Sequence, residues 1–343
     1  MTHKRIGFCC KWLDEPRQMS GFKPKDEALK YNNRTTTVAW LNRQPRQVAE
    51  QRLWDIMEHN TDATLKLVEL VGTMVGGLRM VRLSSDMFPV YTEPTYGYFY
   101  NLPDVRREIE RRCALIGQAA REHDVRVSFH PGQFCVLASD NDSIVTNSIR
   151  EFEYHTDLAR WMGFGSSFHD HGFKINIHIS GRRGPAGIRA IWNSLSSEAR
   201  NLITVENEEN SYGLDDTLSL ADITPTVFDC HHHWVKTGEY IEPTDDKIKR
   251  VIDSWRGVRP TMHYSVSSES ILVDHDNSVR PTMTILLESG HKKQKLRAHS
   301  DFMWNNAVNQ YVSQFWENFD IQVESKAKNL ASTKLYEQLT KGK

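Results

Sequence analysis

Val127-Ser128-Phe129-His130-Pro131-Gly132-Gln133-Phe134 is a β-rich apolar run that stops at a histidine followed by Pro-Gly. It predicts a buried strand that ends abruptly and presents the His130 imidazole at its C-terminal tip. One such histidine decides little, because a strand-end imidazole is more often a hydrogen-bonded structural group than a ligand. The weight lies in whether other strands end the same way.

Upstream, Arg5-Ile6-Gly7-Phe8-Cys9 and Leu78 to Leu83 read as strands. Downstream, Lys174 to Ile179, Asn201 to Val205, Thr226 to Phe228, Thr261 to His263 and Asp320 to Val323 do the same. Between them the apolar residues recur at helical spacing. Two runs follow Pro45, one through Leu53, Ile56 and Met57 and one through Leu65, Val68, Leu70 and Val71. Others follow Asp104 (Val105, Ile109, Cys113, Ile116, Ala120) and span Ile144 to Met162, Ala186 to Leu195, Asp245 to Trp255 and Asp301 to Phe319. About eight strands separated by helices predict an α/β protein, a closed TIM-type (β/α)8 barrel, in which chemistry collects at the C-terminal rim of the strands. No Pro/Ser-rich linker or short repeat divides the chain, so residues 1–343 are expected to form a single barrel domain. It would carry a long polar loop at about 11–44 and a C-terminal helix at about 327–343. The aromatic loop Phe88 to Tyr100 is open to two readings, a packed Ω-type loop or a base-stacking surface.

Composition narrows the class. Hydrophobic residues make up 39% and charged residues 25%, and no run approaches the roughly 18 apolar residues of a membrane span, so no membrane partner is expected. The N-terminus enters a strand-like run rather than a signal peptide, and the expectation is a cytoplasmic protein. Five scattered cysteines without a C-x-x-C pair exclude a disulfide framework and a zinc ribbon. A net charge of -1 offers no global basic field, so nucleic-acid binding would have to use a local face.

The strand tips carry the chemistry. In order they are His130, His178, Glu206, Asp229 with His231, His232 and His233 behind it, His263 and Glu324, with His299 in a loop beyond one of them. Six successive strands thus deliver an acid or an imidazole to one rim, and a crowded set of carboxylates and neutral imidazoles needs a cation to satisfy it. His and carboxylate without thiolate favour Mn²⁺, Zn²⁺ or Fe²⁺. There are too many ligands for one ion, so two or three are expected, and such clusters serve hydrolytic phosphodiester cleavage. The motif Phe168-His169-Asp170-His171 lies at the wrong end of its strand and is read as a surface turn. The run Lys292, Lys293, Lys295, Arg297 leads to His299, and Lys295 and Arg297, with Lys326, are candidate phosphate contacts.

With these residues in hand the chain resembles the UV damage endonuclease family, relatives of endonuclease IV. The carriers are Arg5-Ile6-Gly7-Phe8, Asn33-Arg34-Thr35, His130-Pro131-Gly132-Gln133, Ile177-His178, Val205-Glu206-Asn207, Asp229 with His232-His233, Trp255-Arg256-Gly257, His263-Tyr264-Ser265, Ala298-His299-Ser300-Asp301 and Val323-Glu324-Ser325-Lys326. The resemblance implies a metal-dependent endonuclease that nicks damaged double-stranded DNA immediately 5′ of cyclobutane dimers and 6-4 photoproducts, leaving a 3′-hydroxyl and a 5′-phosphate. It implies that His130 and His178 hold one metal, and that Glu206 bridges to a second held by Asp229, His263 and Glu324. His232 and His299 would hold a third. Glu206, His130 and Glu324 are the expected catalytic residues, manganese the expected ion, and a monomer associated with the nucleoid the expected working form. Gln133 and Phe134 would fill the gap left by an extruded dinucleotide, helped by Phe8, extrusion being cheapest where bases are already unstacked.

Three positions depart from the family pattern. Phe134 and Phe8 stand where tyrosines are usual, and Thr261 stands where the family tends to carry a lysine that can be carboxylated to help bind metal. The alternatives are an apurinic-site endonuclease, a two-metal sugar isomerase on the same fold, and a damage-binding protein whose chemistry lapsed with Thr261.

Overall fold

In the computed structural model, which describes residues 4–14 and 26–341, eight parallel strands close on themselves in sequence order, β1-β2-β3-β4-β5-β6-β7-β8. They are β1 Ile6–Cys9, β2 Met80–Arg82, β3 Arg126–Phe129, β4 Lys174–His178, β5 Ile203–Glu206, β6 Thr226–Asp229, β7 Thr261–Tyr264 and β8 Asp320–Val323. Register is set by the period of two. Phe8, Val81, Phe129, Ile175, Ile177, Val205, Phe228, Met262 and Val323 point outward into the apolar layer beneath the helices. Their neighbours Arg82, Ser128, Asn176, Glu206, His263 and Gln322 therefore face the barrel axis.

That interior is polar, unlike the branched aliphatic layers that usually fill such barrels. At its lower end the buried Asp320 carboxylate accepts hydrogen bonds from Arg126 Nη1 at 2.8 Å and Arg259 Nε at 2.7 Å, and Arg5 Nη1 lies 3.7 Å away. Gly7 leaves room there for Met80, since a Cβ on Gly7 would come within 2.7 Å of the Met80 carbonyl oxygen. With the base closed by ion pairs and the outside by apolar packing, the strand tips are the open end.

The helices follow the expected runs with informative differences. The two runs after Pro45 fuse into one helix, Arg46–Gly72. The run expected from Asp301 to Phe319 shortens to Asn306–Ser313, because Asn305 caps it by accepting from Val308 N at 2.9 Å and releases Asp301 to Trp304 as rim loop. The C-terminal helix is Lys328–Thr340. The long loop contains the short helices Asp26–Leu29 and Val38–Leu41, and its residues 15–25 lie outside those described. The aromatic loop is packed rather than open: Tyr91 stacks on Tyr154 at 4.5 Å, and Tyr100 is buried with its hydroxyl donating to Pro89 O at 2.8 Å. Among the described residues no helix is long and apolar enough to cross a membrane.

Candidate metal centre at the barrel rim

Five strand ends place their polar side chains around Glu206, which ends β5. His263 Nδ1 lies 3.0 Å from Glu206 Oε2 and 3.3 Å from Glu324 Oε1, and His130 Nε2 and His178 Nε2 lie 3.6 and 4.0 Å from Glu206 Oε2. His232 Nδ1 stands 3.5 Å from Glu206 Oε1 and 3.8 Å from Asp229 Oδ2. Two triads emerge, His130–His178–Glu206 and Glu206–Asp229–His263, the ligand atoms of each lying within 4.8 Å of one another, and Glu206 belongs to both.

Local structure fixes each member. Asp229 ends β6 and caps the helix Cys230–Thr237, accepting from His232 N at 2.7 Å, which holds the first turn of that helix against the site. The turn also separates the three consecutive histidines. His232 faces Glu206. His231 is buried, with Nδ1 2.8 Å from Ser265 Oγ and Nε2 3.1 Å from Leu296 O, and His233 packs its ring on Phe228. His130 Nδ1 donates to Pro131 O at 2.9 Å, leaving Nε2 toward Glu206. His299 joins through an isolated bridge to Ser267, its ring 6.4 Å from that of His232 and outside both triads.

The donor set fits divalent cations. Glu206 Oε1, Asp229 Oδ2, His178 Nδ1 and His263 Nδ1 are all buried without a hydrogen-bond partner, a costly arrangement that cations would relieve. Burial pushes the Glu206 carboxyl up, but His263 and His178 beside it outweigh that and hold it well below the usual range. Burial also raises Asp229, to about 8, against the pull of His232, and it lowers His178 to about 4. Burial lowers His232 as well, but the surrounding carboxylates, Asp229 and Glu206 first, raise it to about 9.

Several residues of the centre escaped the sequence reading. Arg82 reaches in from β2 and forms an ion pair with Glu324. Asn176 Nδ2 hydrogen-bonds Glu206 Oε2 from the neighbouring strand. Glu209 lies 3.6 Å from His232 Nε2, and Lys174 Nζ lies 3.3 Å from His263 Nε2. Arg82, Lys174 and Asn176 share one signal, polar side chains at the inward positions of otherwise apolar strands. Thr261 is buried with its Oγ1 unpartnered, so the lysine that meets His263 comes from β4 rather than β7.

A cavity of about 500 Å³ opens over the cluster, lined in part by His130, His178, His232, His299, Glu324 and Gln133. Gln133 is exposed at its edge, and Phe134 beside it is 85% exposed. Two expectations need correction. Phe8 is no part of this edge: it is buried in the helix layer, edge-on to Trp12 at 5.9 Å, because its place in the register of β1 turns it outward. His169 does lie at the far end of β4, but it is buried rather than on a surface turn, with its ring 5.3 Å from Trp255. Of the phosphate candidates, Arg297 lines the cavity and pairs with Glu209 at 2.8 Å, Lys326 pairs with Asp301 at 3.2 Å, and Lys295 is exposed.

A closed parallel barrel whose rim gathers histidines and carboxylates into triads sharing one glutamate is the architecture of a TIM-barrel enzyme with a candidate metal centre. The model of the UV-endonuclease UvdE family matches residues 20–342, and the chain belongs to that family, whose members are endonucleases. It is 26% identical over 319 residues to a UV DNA damage endonuclease of Bacillus thuringiensis subsp. konkukian, covering 90% of this chain and 89% of that protein. It is 27% identical over 319 residues to one of Bacillus cereus ATCC 10987, with the same coverage. Among solved structures, SacUVDE has the same fold, with a TM-score of 0.71 at 21% identity and 98% of each chain covered. Endonuclease IV from Thermus thermophilus shares it more distantly, with a TM-score of 0.52 at 12% identity, covering 82% of this chain and 95% of that one.

Proposed function

We propose that the protein is a metal-dependent repair endonuclease that nicks double-stranded DNA immediately 5′ of UV photoproducts, leaving a 3′-hydroxyl and a 5′-phosphate, and that it works as a monomer in the cytoplasm, on the nucleoid. The observation that carries this reading is Glu206 at the shared vertex of two His/carboxylate triads, under an open cavity edged by an exposed aromatic.

In this reading His130, His178 and Glu206 hold one ion, Glu206, Asp229, His263 and Glu324 a second, and His232 with His299 a third, with Mn²⁺ the favoured metal. When bound, such ions polarise a phosphoryl oxygen, activate water for in-line attack and neutralise the leaving oxygen. The protein supplies the rest. Asn176 and the histidines hold the Glu206 carboxylate, which stays ionised across the working pH range. Arg82 steadies Glu324. Gln133 and Phe134 fill the space vacated by an extruded dinucleotide, and Lys295, Arg297 and Lys326 track phosphates.

The test is purified protein with Mn²⁺, offered UV-irradiated, depurinated and undamaged supercoiled plasmid. Irradiated plasmid is expected to be nicked above both others, with sequencing-gel ends placing the cut at the lesion's 5′ side. Equal nicking of all three would overturn lesion recognition.

A further inference from the structure

Glu209 lies beside His232 but holds no ion in the ligand sets proposed above. Its side chain is 8% exposed, with Oε2 3.6 Å from His232 Nε2 and Oε1 2.8 Å from Arg297 Nη2. The loop carrying it is held in place. The buried Asn207 exchanges hydrogen bonds with Asp229, Nδ2 to Asp229 O and Oδ1 from Asp229 N, both at 2.9 Å, and Glu208 N donates to Tyr212 O at 2.9 Å. This lashes the end of β5 to the end of β6 and sets Glu209 over His232.

The imidazole between them is oriented for a ligand. His232 Nδ1 lies 3.0 Å from the Asn207 carbonyl, which can only accept, so Nδ1 carries the hydrogen and Nε2 is the nitrogen available to an ion. Nε2 points away from Glu206 and toward Glu209. Two donors bound to one first-row cation at about 2.1 Å each stand roughly 3–3.6 Å apart, the separation found here.

We propose that Glu209 is a metal ligand of this protein, joining His232 Nε2 to hold a divalent cation at the mouth of the cavity, outside the two triads that share Glu206. The ligand class is a first-row divalent ion that accepts nitrogen and carboxylate oxygen, Mn²⁺, Fe²⁺ or Zn²⁺. Arg297 is the counter-ion that holds Glu209 when the cation is absent, and loading the site frees that guanidinium, 48% exposed, for a DNA phosphate. The inference rests on the reading of the Glu206 cluster as a divalent metal centre, and it adds a ligand that supports His232.

The experiment is Mn²⁺ titration of the metal-stripped full chain by calorimetry, with bound metal counted by elemental analysis after dialysis. Wild type, Glu209→Gln, Arg297→Met and Glu206→Gln are compared, with thermal melts in chelator to show that each is folded. Glu209→Gln is expected to lose one ion per chain, or to weaken one binding step by at least about tenfold, with the remaining steps intact. Arg297→Met is expected to tighten that same step by removing the competitor. Unchanged stoichiometry and affinities in both variants, beside a Glu206→Gln variant that loses ions, would overturn the Glu209 assignment alone. A wild type that takes up no Mn²⁺ would overturn the metal centre as well.

Discussion

Lys174 Nζ lies 3.3 Å from His263 Nε2, the two side chains meeting inside the barrel from β4 and β7. Both are fully buried, and among the described residues no carboxylate stands within ion-pairing distance of the amine. Burial brings the Lys174 amine down to about 7, against the pull of Glu206. With the amine neutral, His263 Nε2 carries the hydrogen and donates to it, which leaves Nδ1 as the nitrogen that faces Glu206 and Glu324. Replacing a buried ionisable group by an apolar isostere is often neutral or stabilising, whereas loss of a ligand's outer hydrogen bond costs on the order of 10–100-fold in metal affinity. Lys174→Met should therefore melt no lower than wild type in chelator, yet bind Mn²⁺ that much more weakly. A variant that melts lower but binds metal normally would show the contact to be packing alone.

Glu206 is the residue both triads need. Glu206→Gln keeps the shape and the bond to Asn176 but removes the charge, so it should abolish nicking of irradiated plasmid to below about one part in a hundred, a loss beyond that of an outer partner. Bound Mn²⁺ should fall with it, measured on the same samples. Retained metal with lost activity would separate chemistry from coordination and put the ions elsewhere.

The barrel and most of its rim were legible because both rest on short-range rules. Period-two strands closed by turn residues mark where the barrel axis lies, and a His or acid at each tip marks the rim, which is how His130, His178, Glu206, Asp229, His263 and Glu324 came together. Phe8 shows the limit of reading by motif: one residue of register separates a side chain at the barrel axis from one under the helices, and Phe8 is on the outer side. Lys174 and Glu209 were hidden for another reason. Their partners, His263 and His232, are 89 and 23 residues away: closure of the barrel brings Lys174 across to His263, and the pairing of β5 with β6 brings Glu209 over His232. Choosing among His231, His232 and His233 without the family resemblance likewise required the helical turn that Asp229 caps.

Phe134 is the most exposed large apolar side chain described, at 85%, beside Gln133 at the cavity edge. Stacking of one base on an aromatic is worth about 1–3 kcal/mol. Phe134→Ala should weaken binding to a photoproduct duplex on the order of 10- to 100-fold while sparing intact duplex and metal content, and Gln133→Ala should act in the same direction. Fluorescence anisotropy on matched damaged and intact oligonucleotides reads the difference. An equal loss on both would assign Phe134 to general DNA contact.

Acid sensitivity follows from two buried histidines that belong to neither triad. His155 and His169 are fully buried, and burial lowers them to about 4 and about 3; His155 Nδ1 lies 2.7 Å from Glu151 O, and His169 Nδ1 lies 2.9 Å from Phe173 O. Each carbonyl can only accept, so Nδ1 carries the hydrogen and Nε2 is left buried without a partner. In the unfolded chain both titrate near 6.5, so below that pH the unfolded state binds protons the folded state refuses, and stability falls as pH falls. The contribution is intact above about pH 6.5 and declines by about 1.4 kcal/mol per pH unit for each histidine, reaching about 3 kcal/mol each near pH 4. Urea unfolding in chelator from pH 7 to pH 4 should show this slope. His155→Phe, which keeps the edge contacts to Phe129 and Tyr154, should reduce the slope by one proton's worth. An unchanged slope in that variant would mean that His155 is already protonated in the folded protein and that other groups set the acid limb.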